Sequence, residues 1–322
     1  MTPATTIKQM RYFLATADLG SFSLAARHLN VAQPAVSRQV RMLEENHGVL
    51  LFERNGRGVF LTDAGARFAE RCRGIIVQVK RAEEELVVAH KAVPNSLTLG
   101  MPSSVLSYFG VPFALRLRSA YPDLHLSLPT GRSTELQLAL TSGSCDVALI
   151  YDTSRLTSVT ATPVARDRLV LLSPPGTSPG SAVSLATLAD RDFVLRRYPN
   201  LIRHAFERAL TQNEIHPRIA MEVSDGPAIV ELVSSGIGTG VMSSLAAKSY
   251  ADRFRVDISE ITDPEIALTL HIVHPIELRG QADARRLRIV QEITRDVLAS
   301  LGAERPSSPE LAIHEIEEFH PL

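Results

Sequence analysis

Ser-Phe-Ser-Leu-Ala-Ala-Arg-His-Leu-Asn-Val-Ala-Gln-Pro-Ala-Val-Ser-Arg-Gln-Val-Arg-Met-Leu-Glu-Glu-Asn-His, residues 21–47, carries two short helical patterns on either side of a polar break at residues 30–33. In the first pattern Phe22, Ala25, Ala26 and Leu29 recur at helical spacing and share one face; in the second Val36, Val40 and Leu43 do the same. Pro34 falls in the first turn of the second helix, where its missing N–H costs nothing. The outward face of that helix is left with Gln33, Ser37, Arg38 and Arg41. Gln pairs with adenine, Arg with guanine and Ser with a phosphate or base edge, so this face suits a major groove. An ordinary helical hairpin with solvated Arg and Gln side chains satisfies the same residues.

The next residues separate the two readings. An apolar run, Leu50, Leu51 and Phe52, leads into Arg54, Asn55, Gly56, Arg57 and Gly58, followed by Val59, Phe60 and Leu61. This pattern predicts a short strand pair around a Gly-rich basic turn, a wing, with Asn-Gly supplying the positive φ angles of a tight hairpin. Arg54 and Arg57 would then lie near phosphates or a minor groove. Thr62 is the expected N-cap for a helix beginning at Asp63, and residues 7–17 read as an earlier helix that Gly20 ends.

The residues Ser21-Phe22, Leu24-Ala25-Ala26, Leu29, Gln33-Pro34-Ala35-Val36-Ser37, Leu43-Glu44, Leu51-Phe52, Arg54 and Leu61-Thr62-x-Ala64-Gly65 together resemble the N-terminal signature of LysR-type transcriptional regulators. The resemblance implies that Gln33, Pro34, Ser37 and Arg38 approach bases and that Arg54 and Arg57 serve the wing. Arg41 joins this set from its place on the same helix face. Farther on, Leu149-Ile150-Tyr151 and Leu195-Arg196-Arg197-Tyr198-Pro199 look somewhat like the nitrogen-assimilation-control subgroup.

Composition agrees with a head that meets a polyanion. The chain has 322 residues, a hydrophobic content of 45% and a formal charge of −1. Up to Thr62 there are seven basic residues (Lys8, Arg11, Arg27, Arg38, Arg41, Arg54, Arg57) and four acidic (Asp18, Glu44, Glu45, Glu53), so a head of +3 precedes a remainder of −4. Cys72 and Cys145 stand alone and form no metal-ligand spacing. Residues 1–20 lack a signal-peptide pattern and no apolar run approaches the ~18 residues of a membrane span, so a cytoplasmic location with no membrane partner is expected.

Residues 63–91 form one long helical pattern without proline. Phe68, Cys72, Ile75, Val79, Ala82, Leu86 and Ala89 make a heptad seam, with charged residues on the other faces. Such a helix is roughly 43 Å long. No other early segment looks apolar enough to cover the seam, so it is expected to face a second copy; the alternative is a helix packed on its own domain. In the family this helix dimerises antiparallel and holds two DNA heads apart.

After a short linker at residues 93–96 the pattern alternates strand and helix, which predicts a parallel sheet with helices on its faces. Two α/β lobes follow, with crossovers near residues 163–166 and 264–268. This resembles the periplasmic-binding-protein-like effector domain of LysR regulators. The expected organisation is a winged helix-turn-helix over 1–62, a linker and dimerisation helix over 63–92, and an effector-binding domain over 93–302. Its first lobe takes 95–162 and 268–302, its second 163–267. The Pro- and Glu-rich residues 303–322 are expected to be a mostly disordered tail.

Ligands of open α/β sheets bind outside the carboxyl ends of the strands. Four polar turns fall there: Ser103-Ser104, Thr130-Gly131-Arg132-Ser133, residues 199–203, and Ser224-Asp225-Gly226. A small anionic or polar metabolite held by Ser103, Ser104, Thr130 and Asn200, with Arg132 or Arg203 as counter-charge, is therefore expected; helix capping alone is the competing role. No nucleophile–base set, metal cluster or cofactor motif emerges. Gly236-x-Gly238-x-Gly240 follows a helix rather than a strand, and His271 and His274 point to opposite faces of a strand. The expected protein is thus not an enzyme but a cytoplasmic one-component regulator. It would read an interrupted palindrome in double-stranded DNA as a homodimer or homotetramer, with RNA polymerase a candidate partner. The rival class is a small-molecule carrier or enzyme on the two-lobed body with a vestigial head.

Overall fold

The computed structural model describes residues 5–55, 58–88, 94–154, 156–251 and 253–306. Arg57, seam position Ala89 and the tail from residue 307 lie outside these described residues, as do the side chains of Arg54, Ala82 and Leu86. The chain divides into two compact units, residues 1–92 grouped with 138–145, and residues 93–137 grouped with 146–322.

The first unit is built from α1 (Ile7–Leu19), α2 (Phe22–His28), α3 (Gln33–His47), the hairpin β1 (Phe52–Asn55) and β2 (Gly58–Leu61), and α4 (Asp63–Val88). Thr6 and Gln9 form a capping box on α1, Ser21 Oγ accepts the Leu24 N–H, and Thr62 Oγ1 accepts the Gly65 N–H at 2.9 Å. Gly20 ends α1 at φ 60° and Gly48 ends α3 at φ 64°, in the left-handed region open to glycine. The hairpin pairs Phe52 with Leu61 and Asn55 with Gly58.

The apolar positions read from periodicity converge. Val36 and Val40 are fully buried, and Ala25, Phe22 and Leu43 join them beneath Phe13. The Phe13 ring lies 5.1 Å from both Phe52 and Phe68, so the first helix, the wing and α4 share one aromatic core. This corrects the reading of α4. Phe68 and Cys72, the first two seam positions, pack in the head's own core together with Ala69, because α1 covers them. Ile75, by contrast, is 39% exposed and Val79 half-buried. Burial raises the Cys72 thiol to about 11, the mark of a packed apolar side chain rather than a redox thiol.

The chain continues as β3 (Ser96–Gly100), α5 (Ser103–Ala120), β4 (His125–Ser127), α6 (Ser133–Ser142), β5 (Val147–Ile150), β6 (Val159–Ser173), β7 (Ala182–Ser184), β8 (Asp192–Arg196), α7 (Leu201–Gln212), β9 (Arg218–Val223), α8 (Gly226–Ser234), β10 (Thr239–Ser243), α9 (Ser244–Ala251), β11 (Asp257–Thr262), β12 (Ala267–Pro275) and α10 (Gly280–Ser300). The strands run in the order β4-β3-β5-β12-β6-β10-β8-β9, with β11 and β7 branching from β6. The expected parallel sheet is in fact mixed. The pairs β3–β4, β3–β5, β8–β9 and β8–β10 are parallel, whereas β12 and β6 run antiparallel to each other and to their remaining neighbours β5, β10 and β11.

The crossovers are these two strands themselves. β6 is 15 residues long; its start pairs with β12 beside the first group of strands and its end pairs with β10 and β11 in the second. Two strands and a helix, β7, β11 and α9, were not foreseen. The chain also continues in order past residue 302: the Arg166 N–H donates to the Glu304 carbonyl at 2.9 Å, and Arg168 contacts the Glu304 carboxylate at 3.1 Å. Asp146 is a structural anchor, accepting the Thr98 N–H at 2.6 Å with Arg286 of α10 at 3.6 Å.

Candidate functional site

The outward face of α3 is open. Gln33, Pro34, Arg38 and Arg41 are exposed and Ser37 is half-buried, while Val36, Val40 and Leu43 hold the opposite face in the core. Among the described residues neither Arg38 nor Arg41 has an acidic partner at ion-pair distance, so both guanidinium groups stay available. The N-cap of α3 is Ala32, which offers no side-chain acceptor, in contrast to the capped α1, α2 and α4. Pro34 has no N–H and the Ala35 N–H donates to the Ala32 carbonyl at 3.0 Å, so the first turn relies on the helix dipole, which favours an anion there.

The wing is fixed to α3 by a residue that sequence reasoning passed over as part of a motif. Glu44 Oε1 accepts the N–H groups of Leu51 at 2.8 Å and Phe52 at 3.2 Å, holding the start of β1 against α3. Thr62 closes the same junction from the other side: its N–H donates to the Leu51 carbonyl at 3.1 Å and its hydroxyl to the Leu50 carbonyl at 2.8 Å. The backbone of Arg54 lies on β1, in the wing, as expected.

In the second unit the carboxyl ends of β3 and β4 bring part of the expected ligand set together. The Met101 N–H donates to the Pro129 carbonyl, and Met101 bridges Thr130, which places Thr130 beside the entry to α5. Ser103 is exposed and Ser104 half-buried in the first turn of that helix, whose N-cap is Pro102, so neither hydroxyl caps it. Asn200, by contrast, caps α7, its Oδ1 accepting the Arg203 N–H at 3.1 Å.

Both expected counter-charges are committed elsewhere. Arg203 is 6% exposed and bound to Glu207 at 3.0 Å, to Glu222 and to the Arg196 carbonyl, with its guanidinium 4.2 Å from the Tyr198 ring centre. It holds α7 to the sheet. Arg132 is 66% exposed and pairs with Glu135 at 2.6 Å across the start of α6; the Arg132 N–H and side chain hold the Glu135 carboxyl below its usual range. A cation overlooked in the sequence stands in a better place. Arg196 is the last residue of β8, half-buried beside Gly226 at the start of α8, where a β-carbon would meet its Nη1 at 3.2 Å. Desolvation lowers its pKa, against the opposing attraction of Asp225.

Two family models account for most of the chain. Residues 7–66 match the bacterial regulatory helix-turn-helix protein of the lysR family, and residues 90–291 match the LysR substrate binding domain. The chain belongs to the LysR family of transcriptional regulators. It is 33% identical over 239 residues to the RuBisCO operon transcriptional regulator of Allochromatium vinosum, covering 74% of this chain and 79% of that protein. It is 26% identical over 304 residues to the nitrogen assimilation regulatory protein nac of Klebsiella aerogenes, covering 94% and 96%. The crystal structure of CbnR, a LysR family transcriptional regulator, superposes with a TM-score of 0.72 at 23% identity, over 90% of this chain and 99% of that one. This LysR regulator is therefore a DNA-binding transcription factor with an attached substrate-binding domain. Relatives that match both head and body are regulators, which sets aside the enzyme reading.

Proposed function

We propose that Gln33, Pro34, Ser37, Arg38 and Arg41 read base edges from the major groove and that Arg54 and Arg57 hold the wing to the backbone of an interrupted palindrome. The observation that carries this reading is the open basic face of α3, on which Arg38 and Arg41 have no acidic partner among the described residues, above a buried Val36–Val40–Leu43 face. A full-length CbnR structure complexed with its target DNA is among the similar folds, which supports DNA binding by this chain. The test is a gel shift on the upstream intergenic DNA at several salt concentrations. Affinity should fall steeply with salt while a preference over random competitor persists; equal binding to both DNAs would remove the reading.

The same reading makes the protein a homodimer or homotetramer, with the outer part of α4 as one contact. Val111 and Leu115, one helical turn apart on α5, are 69% and 67% exposed, and β9 is an edge strand with Ile219 and Met221 each 38% exposed. These apolar surfaces support association through the effector lobes. Contact with RNA polymerase would follow from DNA-bound oligomers.

The effector is proposed to be a small anion held by Ser103, Ser104 and Thr130 on one side and by Asn200 and Arg196 on the other. Arg196 takes the counter-charge role because Arg132 and Arg203 are paired. A thermal-shift screen of anionic metabolites on the full chain tests this. Hits should raise the melting point of wild type but not of Arg196→Met or Thr130→Val; hits unaffected by both substitutions would move the ligand elsewhere.

A further inference from the structure

A chain of buried hydrogen bonds links the two effector lobes through the crossover strand. Tyr108 on α5 and Tyr151 just past β5 belong to the first lobe, and their hydroxyls meet at 2.9 Å. The Tyr151 hydroxyl donates to Asp167 Oδ2 at 2.5 Å. Having spent its one proton there, Tyr151 accepts from Tyr108, so the chain has a direction. Asp167 lies on β6 opposite Leu268 of β12, in the stretch that passes from one lobe to the other. Its second oxygen accepts the Leu245 N–H at 3.1 Å and the Ser244 hydroxyl at 3.3 Å, both in the first turn of α9, an element of the second lobe. Tyr108, Tyr151 and Asp167 are 2%, 8% and 0% exposed. The carboxylate is thus satisfied by donors from both lobes, and the end of α9 that faces it is the positive one.

The alternate residues of the same strand work on its other face. Arg168 reaches Glu260 at 3.6 Å, Glu265 at 3.3 Å and Glu304 at 3.1 Å, and Arg166 pairs with Glu265. The strand is therefore gripped on both sides just beyond a bulge: Leu270 pairs with Ala165 but His271 with Pro163, leaving Val164 without a partner on β12. A bulge is where a two-stranded ribbon bends.

We propose that the Tyr108–Tyr151–Asp167 relay is a latch between the lobes. It fastens α9 of the second lobe to hydroxyls of the first, and it must part when the lobes turn about the β6–β12 ribbon. Hydrogen bonds weaken steeply beyond about 3.5 Å, so a rotation that moves Tyr151 and Leu245 apart by an ångström breaks the chain at Asp167. The inference concerns the lobes alone and holds whether or not an effector binds.

Amide hydrogen exchange on the full-length protein tests it. Tyr151→Phe removes the proton given to Asp167, and exchange at Leu245 should accelerate about tenfold or more. Leu99 and Leu149 in the sheet of the first lobe, and Val40 in α3, should keep their rates. Tyr108→Phe leaves the Tyr151–Asp167 bond in place and should accelerate Leu245 by about threefold. Unchanged exchange at Leu245 in Tyr151→Phe overturns the latch, and so does an equal acceleration at Leu99, Leu149 and Leu245, which reports general loosening. If Tyr151→Phe does not fold, Tyr108→Phe decides alone: no change at Leu245 overturns the proposal.

Discussion

Replacing Glu44 separates the head's helical core from its wing. One carboxylate oxygen accepts two N–H groups, those of Leu51 and Phe52, in residues that are 7% and 5% exposed. Hydrogen bonds to a charged acceptor contribute about 1.5–3 kcal/mol each, and a donor left buried and unpaired carries the full desolvation penalty. The two bonds share one oxygen, the longer is the weaker, and Glu44 is half-buried, so water can reach part of the vacated space. About 2 kcal/mol is therefore expected for Glu44→Ala, against about 1 kcal/mol for Glu44→Gln, whose amide oxygen can still accept but carries no charge. For a domain of this size 1 kcal/mol moves the midpoint by ~4–8 °C, so Glu44→Ala should lower the head's transition by ~8–16 °C. Calorimetry of the full chain reads this directly, with the effector unit's transition as an internal control. A shift below ~2 °C for Glu44→Ala, or Glu44→Gln as damaging as Glu44→Ala, would refute the account of what fastens the wing.

Other substitutions probe the same contacts. Gly65→Ala should cost about 3 kcal/mol or more, since its β-carbon would fall 2.0 Å from the Leu51 carbonyl oxygen; Gly48→Ala, with nothing within 4 Å and only its φ of 64° to strain it, should cost about 1–2 kcal/mol in the same denaturation assay. Arg38→Ala should weaken DNA binding by ~1–3 kcal/mol and relax base preference at one position of each half-site; an unchanged footprint and affinity would take Arg38 out of the reading set. The Cys72 thiol, raised by burial to about 11 from an ordinary value of 9.0, should resist alkylation of the native protein at pH 8 and react on unfolding. Because its proton is held more tightly in the folded head, that contribution to stability is complete below pH 9 and is lost as pH rises toward 11; pH-dependent unfolding of wild type against Cys72→Ala checks the sign.

Much of the head was legible in order along the chain. The 3.6-residue spacing of Phe22, Ala25, Ala26 and of Val36, Val40, Leu43 placed both helices and their inner faces, and the leftover positions were the outer face. Gly20 and Thr62 marked a helix end and a helix start because capping is a local matter of backbone angle and side-chain reach. On α4 the alternative of packing on its own domain holds for the first seam positions: spacing shows that Phe68 and Cys72 want cover, not that α1 provides it.

In the effector unit the boundary between the two kinds of knowledge is sharper. Periodicity and turn residues alone determined where most strands and helices lie, because hydrophobic alternation and caps are written within a dozen neighbouring residues. Tertiary structure alone decided that β6 serves both lobes, that Arg132 and Arg203 are paired while Arg196 is left half-buried at a strand end, and that Tyr108, Tyr151, Asp167 and Leu245 meet. Asp167 and Leu245, for example, stand 78 residues apart. Whether a charge is free or spent depends on which distant group the fold carries to it, and that is set by chain crossing and register rather than by any local pattern.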